Sequence, residues 1–213
     1  PFFREQVEYC PDIDKNILPL SVDETLTQVV YRKHPESEKH VIKGINSTGV
    51  NELFNTGDML TTVLKDVFQN VNVYEDRVRL LQYPFDSPIS DNGISFYKYY
   101  IMDTLYVEQD KCFHLTFVPN NSQDFGFTGH LYILADSTFR LKECVLNLPK
   151  KTDVNFVENM QITQLFGALP TGEWVQTTDD MLCELNMFGG RFMVRRVTRN
   201  SEYAFEEVPE QIF

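Results

Sequence analysis

Residues 96–150 read FYKYYIMDTLYVEQDKCFHLTFVPNNSQDFGFTGHLYILADSTFRLKECVLNLPK, and this stretch decides the fold. Apolar and polar residues alternate along several of its runs, which is the pattern of β-strands that bury one face. The short sequences Glu108-Gln109-Asp110 and Asp136-Ser137-Thr138 interrupt these runs and are typical of tight turns. Because such short connections join antiparallel neighbours, the stretch predicts two consecutive β-hairpins.

The two hairpins are joined by the loop Asn120–Gly129, which has two interpretations. In the structural one, Gly126 and Gly129 supply positive φ angles, and Phe125 and Phe127 pack back onto the domain as plugs. The polar side chains that can bond the loop backbone are those of Asn120, Asn121, Ser122 and Asp124. In the functional interpretation, the two phenylalanines line the rim of a pocket or a docking surface. We prefer the structural interpretation.

The rest of the chain contains further strand patterns and one clear helix pattern. Strands are predicted at 21–32, 40–45, 72–83, 95–107, 111–119, 130–135, 140–148, 155–166, 174–187 and 191–205. A helix is predicted where apolar residues recur at helical spacing, at Met59, Leu60, Val63, Leu64, Val67 and Phe68. The segment 49–54 is a candidate for a second, short helix.

These elements predict a mainly β (α+β) fold. We expect a curled antiparallel β-meander of about eight to ten strands, half-barrel-like, with one amphipathic helix packed on its concave face. We expect a single domain at 1–205, in which 1–19 is an extended lead-in, and a C-terminal linker at 206–213. Because the sequence begins at Pro1, we interpret it as an excised domain or a mature fragment.

Charge and composition narrow the class of protein. Lys and Arg total 19 whereas Asp and Glu total 31, and the net charge of -12 is the opposite of what a duplex nucleic-acid binder needs. The cluster Arg191, Arg195, Arg196 and Arg199 alternates with apolar residues, and we interpret it as the solvated face of a strand. No run approaches the roughly 20 apolar residues of a membrane helix. We therefore expect neither nucleic-acid binding nor a transmembrane segment in this chain.

The cysteines form no recognisable metal or redox motif. Cys10, Cys112, Cys144 and Cys183 make no CxxC pair and no zinc-like spacing. We interpret them as small apolar residues in strands, with a disulfide between neighbouring strands as the open alternative. Cysteine usage therefore leaves the redox compartment undecided.

One constellation of polar residues could carry chemistry. His114, His130 and Asp124 can be drawn together as a metal site or an acid–base site. The adjacent Asp179 and Asp180 point to opposite faces of a strand and so do not form an acid–base dyad. The sequence contains no GxSxG, SxxK, HExxH, GxGxxG or Walker motif. We predict no catalytic residue, no metal and no cofactor, and the candidate ligand-binding residues are Phe125, Phe127, His114, His130 and Asp124.

Several strings resemble one family of envelope proteins. They are Phe96–Tyr100, Phe117–Gly129, Asp136–Thr138 and Asn155–Val157. These strings resemble the central domain of the Bacteroidetes-type outer-membrane envelope family of unknown function. Members of that family carry a carboxypeptidase-regulatory-like domain before the central domain and a C-terminal outer-membrane β-barrel after it. The resemblance runs from about residue 18 to residue 205.

The resemblance implies a setting but brings no catalytic residues with it. It implies a domain on the periplasmic side of the outer membrane, attached to an outer-membrane β-barrel of the same parent protein. A helix in a curled sheet is also similar to the lipoprotein-carrier fold of LolA and LolB, in which an open half-barrel shelters an acyl chain. We therefore expect a noncatalytic periplasmic module for interaction or for handling lipid or another apolar ligand. The alternatives are a purely structural spacer for the barrel and an enzyme of unrecognised type.

Overall fold

A computed structural model of the chain describes residues 7–11, 14–18, 20–49, 65, 67–81, 83–148, 156–187, 189–209 and 212. The chain divides into two compact units, one made of Pro1–Leu60 with Ala204–Phe213 and the other of Thr61–Tyr203. The predicted helix at 59–68 lies outside the described residues except for Lys65, Val67 and Phe68, of which the first two are helical. The candidate helix at 49–54 lies outside them except for its first residue, which ends a strand.

The predicted lead-in of the first unit contains a small hairpin. Strand β1 (Glu8–Cys10) pairs antiparallel with β2 (Lys15–Ile17). The Tyr9 hydroxyl donates to the Asp14 carboxylate at 2.6 Å, across the turn that connects the strands. Within the predicted lead-in, these residues are extended and also fold back on themselves as a hairpin.

A long two-stranded ribbon follows in the same unit. Strand β3 (Ser21–Arg32) pairs antiparallel with β4 (Ser37–Gly49) along its whole length. Leu26 faces Gly44 whereas Thr27 faces Ile42, so Lys43 is the extra residue of a β-bulge in β4. We call these two strands the ribbon.

The second unit is built on a seven-stranded antiparallel meander. A small hairpin and a single helical turn come first, and they are β5 (Arg77–Leu80), β6 (Tyr83–Asp86) and α1 (Gly93–Phe96). The strands of the sheet are β7 (Tyr97–Val107), β8 (Asp110–Pro119), β9 (Thr128–Leu134), β10 (Leu141–Asn147), β11 (Val157–Ala168), β12 (Trp174–Met187) and β13 (Gly190–Arg199). Each strand pairs with its neighbours in the chain, and the sheet is open, with edges at β7 and β13 in the described part of the chain. The predicted mainly β, antiparallel fold is confirmed.

One face of this sheet carries the core of the second unit. Its fully buried side chains include those of Tyr97, Phe117, Leu131, Leu146, Met160, Ile162, Met181 and Leu185. Residues 67–96 cover this face: the ring of Phe85 stacks on Phe127 with centroids 4.4 Å apart, and the Gln164 side chain donates to the Val71 carbonyl at 2.7 Å. The opposite face is half exposed and mixes histidine, tyrosine, threonine and charged residues.

Two local predictions were wrong around the small hairpin and at the last strand. Within the predicted strand 72–83, only Arg77–Leu80 is a continuous strand. Pro84, which follows the end of that predicted strand, is part of β6 and faces Arg79. A two-stranded hairpin leaves an outer edge on which proline costs no hydrogen bond. Strand β13 ends at Arg199, short of the predicted residue 205.

Candidate functional site

The structure brings His114 and His130 together on the half-exposed face of the seven-stranded sheet. Strands β8 and β9 pair so that His114 faces Tyr132 and Thr116 faces His130, which makes the two histidines diagonal neighbours. Nε2 of His114 lies 2.9 Å from Nδ1 of His130. The ring of His114 also stacks on Tyr132, with centroids 4.7 Å apart and planes 12° apart. A polar, aromatic cluster thus lies across two neighbouring strands.

The carboxylate of this cluster is Asp103 and not the predicted Asp124. Oδ1 of Asp103 lies 3.0 Å from Nδ1 of His114. Asp124 instead stays within its loop, where its side chain accepts a hydrogen bond from Asn121 at 3.2 Å. Strict alternation along β7 places Asp103 on the face of Ile101, but the register shifts between these two residues and turns Asp103 toward His114. Sequence alternation could not show this bulge.

The cluster has a defined hydrogen-bond direction. Because Asp103 only accepts, Nδ1–H of His114 donates to it, and Nε2 of neutral His114 then accepts from Nδ1–H of His130. Burial lowers the pKa of His130, and the neighbouring His114 lowers it further. Burial also raises the pKa of the Tyr132 hydroxyl. The surroundings of His130 therefore favour its neutral form, and Nε2 of His130 is the position at which this imidazole would take up a proton.

We expect His130 to make stability depend on pH. Its pKa is lowered in the folded state, so below the ordinary histidine pKa of about 6.5 the unfolded chain binds more protons than the folded chain. The stability that neutral His130 contributes is present above that pH and is lost as the pH falls toward the folded-state pKa. Between about pH 7.5 and about pH 5.5, urea unfolding should show a smaller loss of stability for His130→Gln than for the wild type.

The matched control for this pH dependence is His34→Gln, because His34 lies in the exposed turn between β3 and β4. That variant should lose stability on acidification as the wild type does. If His130→Gln and the wild type lose the same amount, the half-buried imidazole does not have the lowered pKa that its surroundings indicate.

The two phenylalanines of the Asn120–Gly129 loop have different environments. Phe127 is 0% exposed, and its backbone N–H donates to the Tyr97 hydroxyl at 3.3 Å. Phe125 is 36% exposed and stacks on the outer side of Phe85, with centroids 4.8 Å apart. Phe127 is therefore a plug of the core, as the structural interpretation of the loop predicts. Phe125 is the one of the two that a partner can reach.

Gly126 and Gly129 are required because neighbouring atoms lie too close for a Cβ, and not because their φ angles are positive. Among the described glycines, only Gly172 and Gly189 have φ in the left-handed region, so the φ prediction for Gly126 and Gly129 was wrong. A Cβ on Gly129 would lie 1.8 Å from the Val145 carbonyl oxygen on β10. A Cβ on Gly126 would lie 2.5 Å from the ring of Phe96. Both residues leave room for a neighbouring element of the same unit.

A buried polar network on the core face is a feature that sequence reasoning missed. The guanidinium of Arg196 donates to the carbonyls of Phe68 and Gln69, at 2.7 and 3.2 Å, and to the Asp179 carboxylate at 3.3 Å. Gln164, which is 1% exposed, donates to the same carboxylate at 2.8 Å. The interpretation of the arginine cluster as one solvated face was therefore wrong for Arg196. Two of its partners, Phe68 and Gln69, lie more than a hundred residues away in the chain, so no local pattern in the sequence indicates them.

The adjacent residues Asp180 and Arg195 form a separate pair on the opposite face. Arg195 binds the Asp180 carboxylate through two nitrogens, at 2.9 and 2.6 Å. Asp179 and Asp180 thus point to opposite faces, and each carboxylate has its own arginine, which is an arrangement for holding strands together.

The ribbon of the first unit exposes a row of apolar side chains. The residues on this side, which we call the ribbon face, are Thr25, Thr27, Val29 and Tyr31 of β3 and the β4 residues that face them, Glu38, His40, Ile42 and Ile45. Four of them, Val29, Tyr31, Ile42 and Ile45, are 52 to 66% exposed. At the middle of the ribbon an open depression of about 400 Å³ is lined by Glu24, Thr25, Leu26, Gly44, Ile45 and Asn46. This surface was not among the candidates from sequence, although the β-branched residues on alternate positions of 25–31 were a usable signal.

Comparison with known proteins gives the family of the chain. The model of a family described as a family of unknown function, DUF5686, matches residues 2–203. The chain belongs to the DUF5686 family. No curated protein and no solved structure matches the chain.

Further features of this DUF5686 member bear on the remaining sequence predictions. The four cysteines are free thiols, and burial raises the pKa of Cys144 and of Cys183 to about 12, so these two are poor nucleophiles. In the described ranges, no group of three or more His, Cys, Asp or Glu side chains is arranged to hold a metal ion. Within the same ranges, no helix has both the length and the apolar character needed to cross a membrane.

Proposed function

We propose that this DUF5686 chain is a noncatalytic interaction module on the periplasmic side of an outer-membrane-associated envelope protein. The observation that carries the proposal is the ribbon face, on which four large side chains are 52 to 66% exposed. An isolated two-stranded ribbon is marginally stable in water, and a group of large apolar side chains exposed on one face, here beside Glu38 and His40, marks an interaction site. The ribbon face is therefore the surface through which the module docks.

The form of this surface favours a protein partner over a small apolar ligand. The depression of about 400 Å³ is open to solvent and lined by both strands of the ribbon. Small-molecule sites, in contrast, enclose most of the surface of their ligand. A β-structured or extended partner can lay side chains across the ribbon face, where Ile42 and Ile45 are 58 and 66% exposed.

The family resemblance supplies the setting and the partner. It supports an outer-membrane β-barrel of the same parent protein as the occupant of the ribbon face. The buried polar network, the aromatic plug and the sheet would then hold the second unit as a rigid body, and the ribbon would provide the contact. The spacer alternative shares this architecture but predicts no specific contact at the ribbon face.

A site-specific crosslink in the complete parent protein tests the proposal. A photoactivatable amino acid in place of Ile45, which is 66% exposed, should give a crosslink to the barrel segment in the outer-membrane fraction. The control position is Gln109, in the exposed turn between β7 and β8, which should give none. Equal labelling from both positions, or recovery of the protein in the cytoplasmic fraction, would contradict docking at the envelope. A lipid adduct at position 45 would replace protein docking with apolar-ligand handling.

A further inference from the structure

The two edges of the ribbon differ in how well they are protected against pairing. Strand β4 carries the bulge at Lys43 and a second lysine at Lys39, and bulges and edge lysines are devices that block strand addition. Strand β3 runs for 12 residues, SVDETLTQVVYR, with no lysine, proline or glycine. In the described part of the chain, β3 pairs only with β4. The edge that remains open to another strand is therefore that of β3.

The sequence of β3 is complementary to itself when read in the opposite direction. Acidic residues, Asp23 and Glu24, lie near its start, and basic residues, Arg32 and Lys33, lie at its end. A two-fold axis perpendicular to a sheet leaves each side chain on its own face of the sheet. Two residues that face one another across the axis must therefore both be even-numbered or both odd-numbered. A register centred on Gln28 satisfies this condition.

In that register, Glu24 and Arg32 of β3 meet opposite charges within the strand, and Asp23 meets Lys33 of the turn that follows it. Glu24 of one copy lies opposite Arg32 of the second copy, and Asp23 lies opposite Lys33, each twice by symmetry. Leu26 lies opposite Val30. The two Gln28 side chains meet on the axis, where their amides can bond one another. Opposite charges on facing positions stabilise a strand pair, whereas like charges destabilise it.

We propose that two copies of this chain associate edge to edge through β3, antiparallel, in the register centred on Gln28. The product is a four-stranded sheet in the order β4–β3–β3–β4. Such a sheet has enough strands and a wide enough apolar face to be stable, which a two-stranded ribbon lacks. The pairing uses the edge of the ribbon and leaves the ribbon face free, so it goes beyond the docking proposed above and does not depend on it.

Charge reversal with rescue tests the pairing. Sedimentation velocity over a concentration series should show a monomer–dimer equilibrium for the wild type. Glu24→Lys and Arg32→Glu should each weaken dimerisation about tenfold or more, because symmetry places the repulsion twice. The double variant should restore the wild-type constant to within about threefold, which a misfolded chain could not do. Lys43→Glu, on the protected edge, is the matched control and should leave the dimer unchanged.

A cysteine on the two-fold axis tests the register. In a Cys10→Ser background, Gln28→Cys should form a disulfide-linked dimer on mild oxidation, because the two sulfurs face each other directly. Val22→Cys, on the same strand but far from the axis, should not. A chain that is monomeric at every concentration, a dimer that is insensitive to both charge reversals, or equal crosslinking at positions 22 and 28 would overturn the inference. None of these results affects the Ile45 crosslink to the barrel, so the two proposals fail separately.

Discussion

Phe127→Ala should lower the free energy of unfolding by about 4 kcal/mol, one of the two largest effects we expect in this chain. Phe127 is 0% exposed, and its ring stacks on Phe85 with centroids 4.4 Å apart. Alanine would leave a cavity between the loop and the small hairpin β5–β6. The Tyr97 hydroxyl, which accepts from the Phe127 backbone N–H and donates to the Asp86 carbonyl, lies beside that cavity. Equilibrium urea unfolding measures the loss, with Trp174 on β12 as the single tryptophan reporter.

The control for this variant is Phe125→Ala in the same loop. Phe125 is 36% exposed, so its removal should cost about 1 kcal/mol, because less apolar surface returns to water. The contrast separates the two interpretations of the loop. If both variants lose the same stability, the loop does not pack as the aromatic stack indicates. If only Phe125→Ala weakens a binding activity, the outer phenylalanine belongs to a docking surface.

The sequence pattern was sufficient where a strand is regular and its partner is close in the chain. The bounds predicted for Ser21–Arg32 and Trp174–Met187 are those of β3 and β12, because alternation and turn residues mark both ends of each strand. The hairpin order of the sheet followed from the same short connections. Regular alternation and short turns can be recognised from neighbouring residues in the sequence, and they make up most of the meander.

Prediction failed where one residue breaks the period or where a partner is distant. Asp103 reaches His114 because a bulge in β7 reverses the side-chain parity, and a single sequence carries no mark of that bulge. The small hairpin β5–β6 was not predicted, because a proline such as Pro84 is normally evidence against a strand. The exposed face of the ribbon was also missed. Its residue pattern is the one found in half-buried strands, and only the burial in the structure shows that its apolar side chains are exposed.

Arg196→Met should destabilise the second unit by about 3 kcal/mol, because it leaves the Asp179 carboxylate buried without its cation. Asp179 is 6% exposed, and Arg196 also binds the carbonyls of Phe68 and Gln69, which follow the helical residues Lys65 and Val67. The substitution removes the ion pair and both carbonyl bonds, while methionine preserves much of the apolar packing of the arginine stem.

The neighbouring pair provides the matched control. Arg195→Met removes the cation of Asp180 on the half-exposed face, where solvent screens the charge that remains, so the loss should stay below about 1 kcal/mol. Asp179→Asn combined with Arg196→Met should recover part of the stability lost by Arg196→Met alone, because no buried charge is then unpaired and the asparagine oxygen still accepts from Gln164. Equal losses for Arg195→Met and Arg196→Met in urea unfolding would contradict the buried network. A selective loss for Arg196→Met would show that this arginine ties residues 68 and 69 to β12 and β13. The edge of the sheet and the segment that covers its core would then be held by the same side chain.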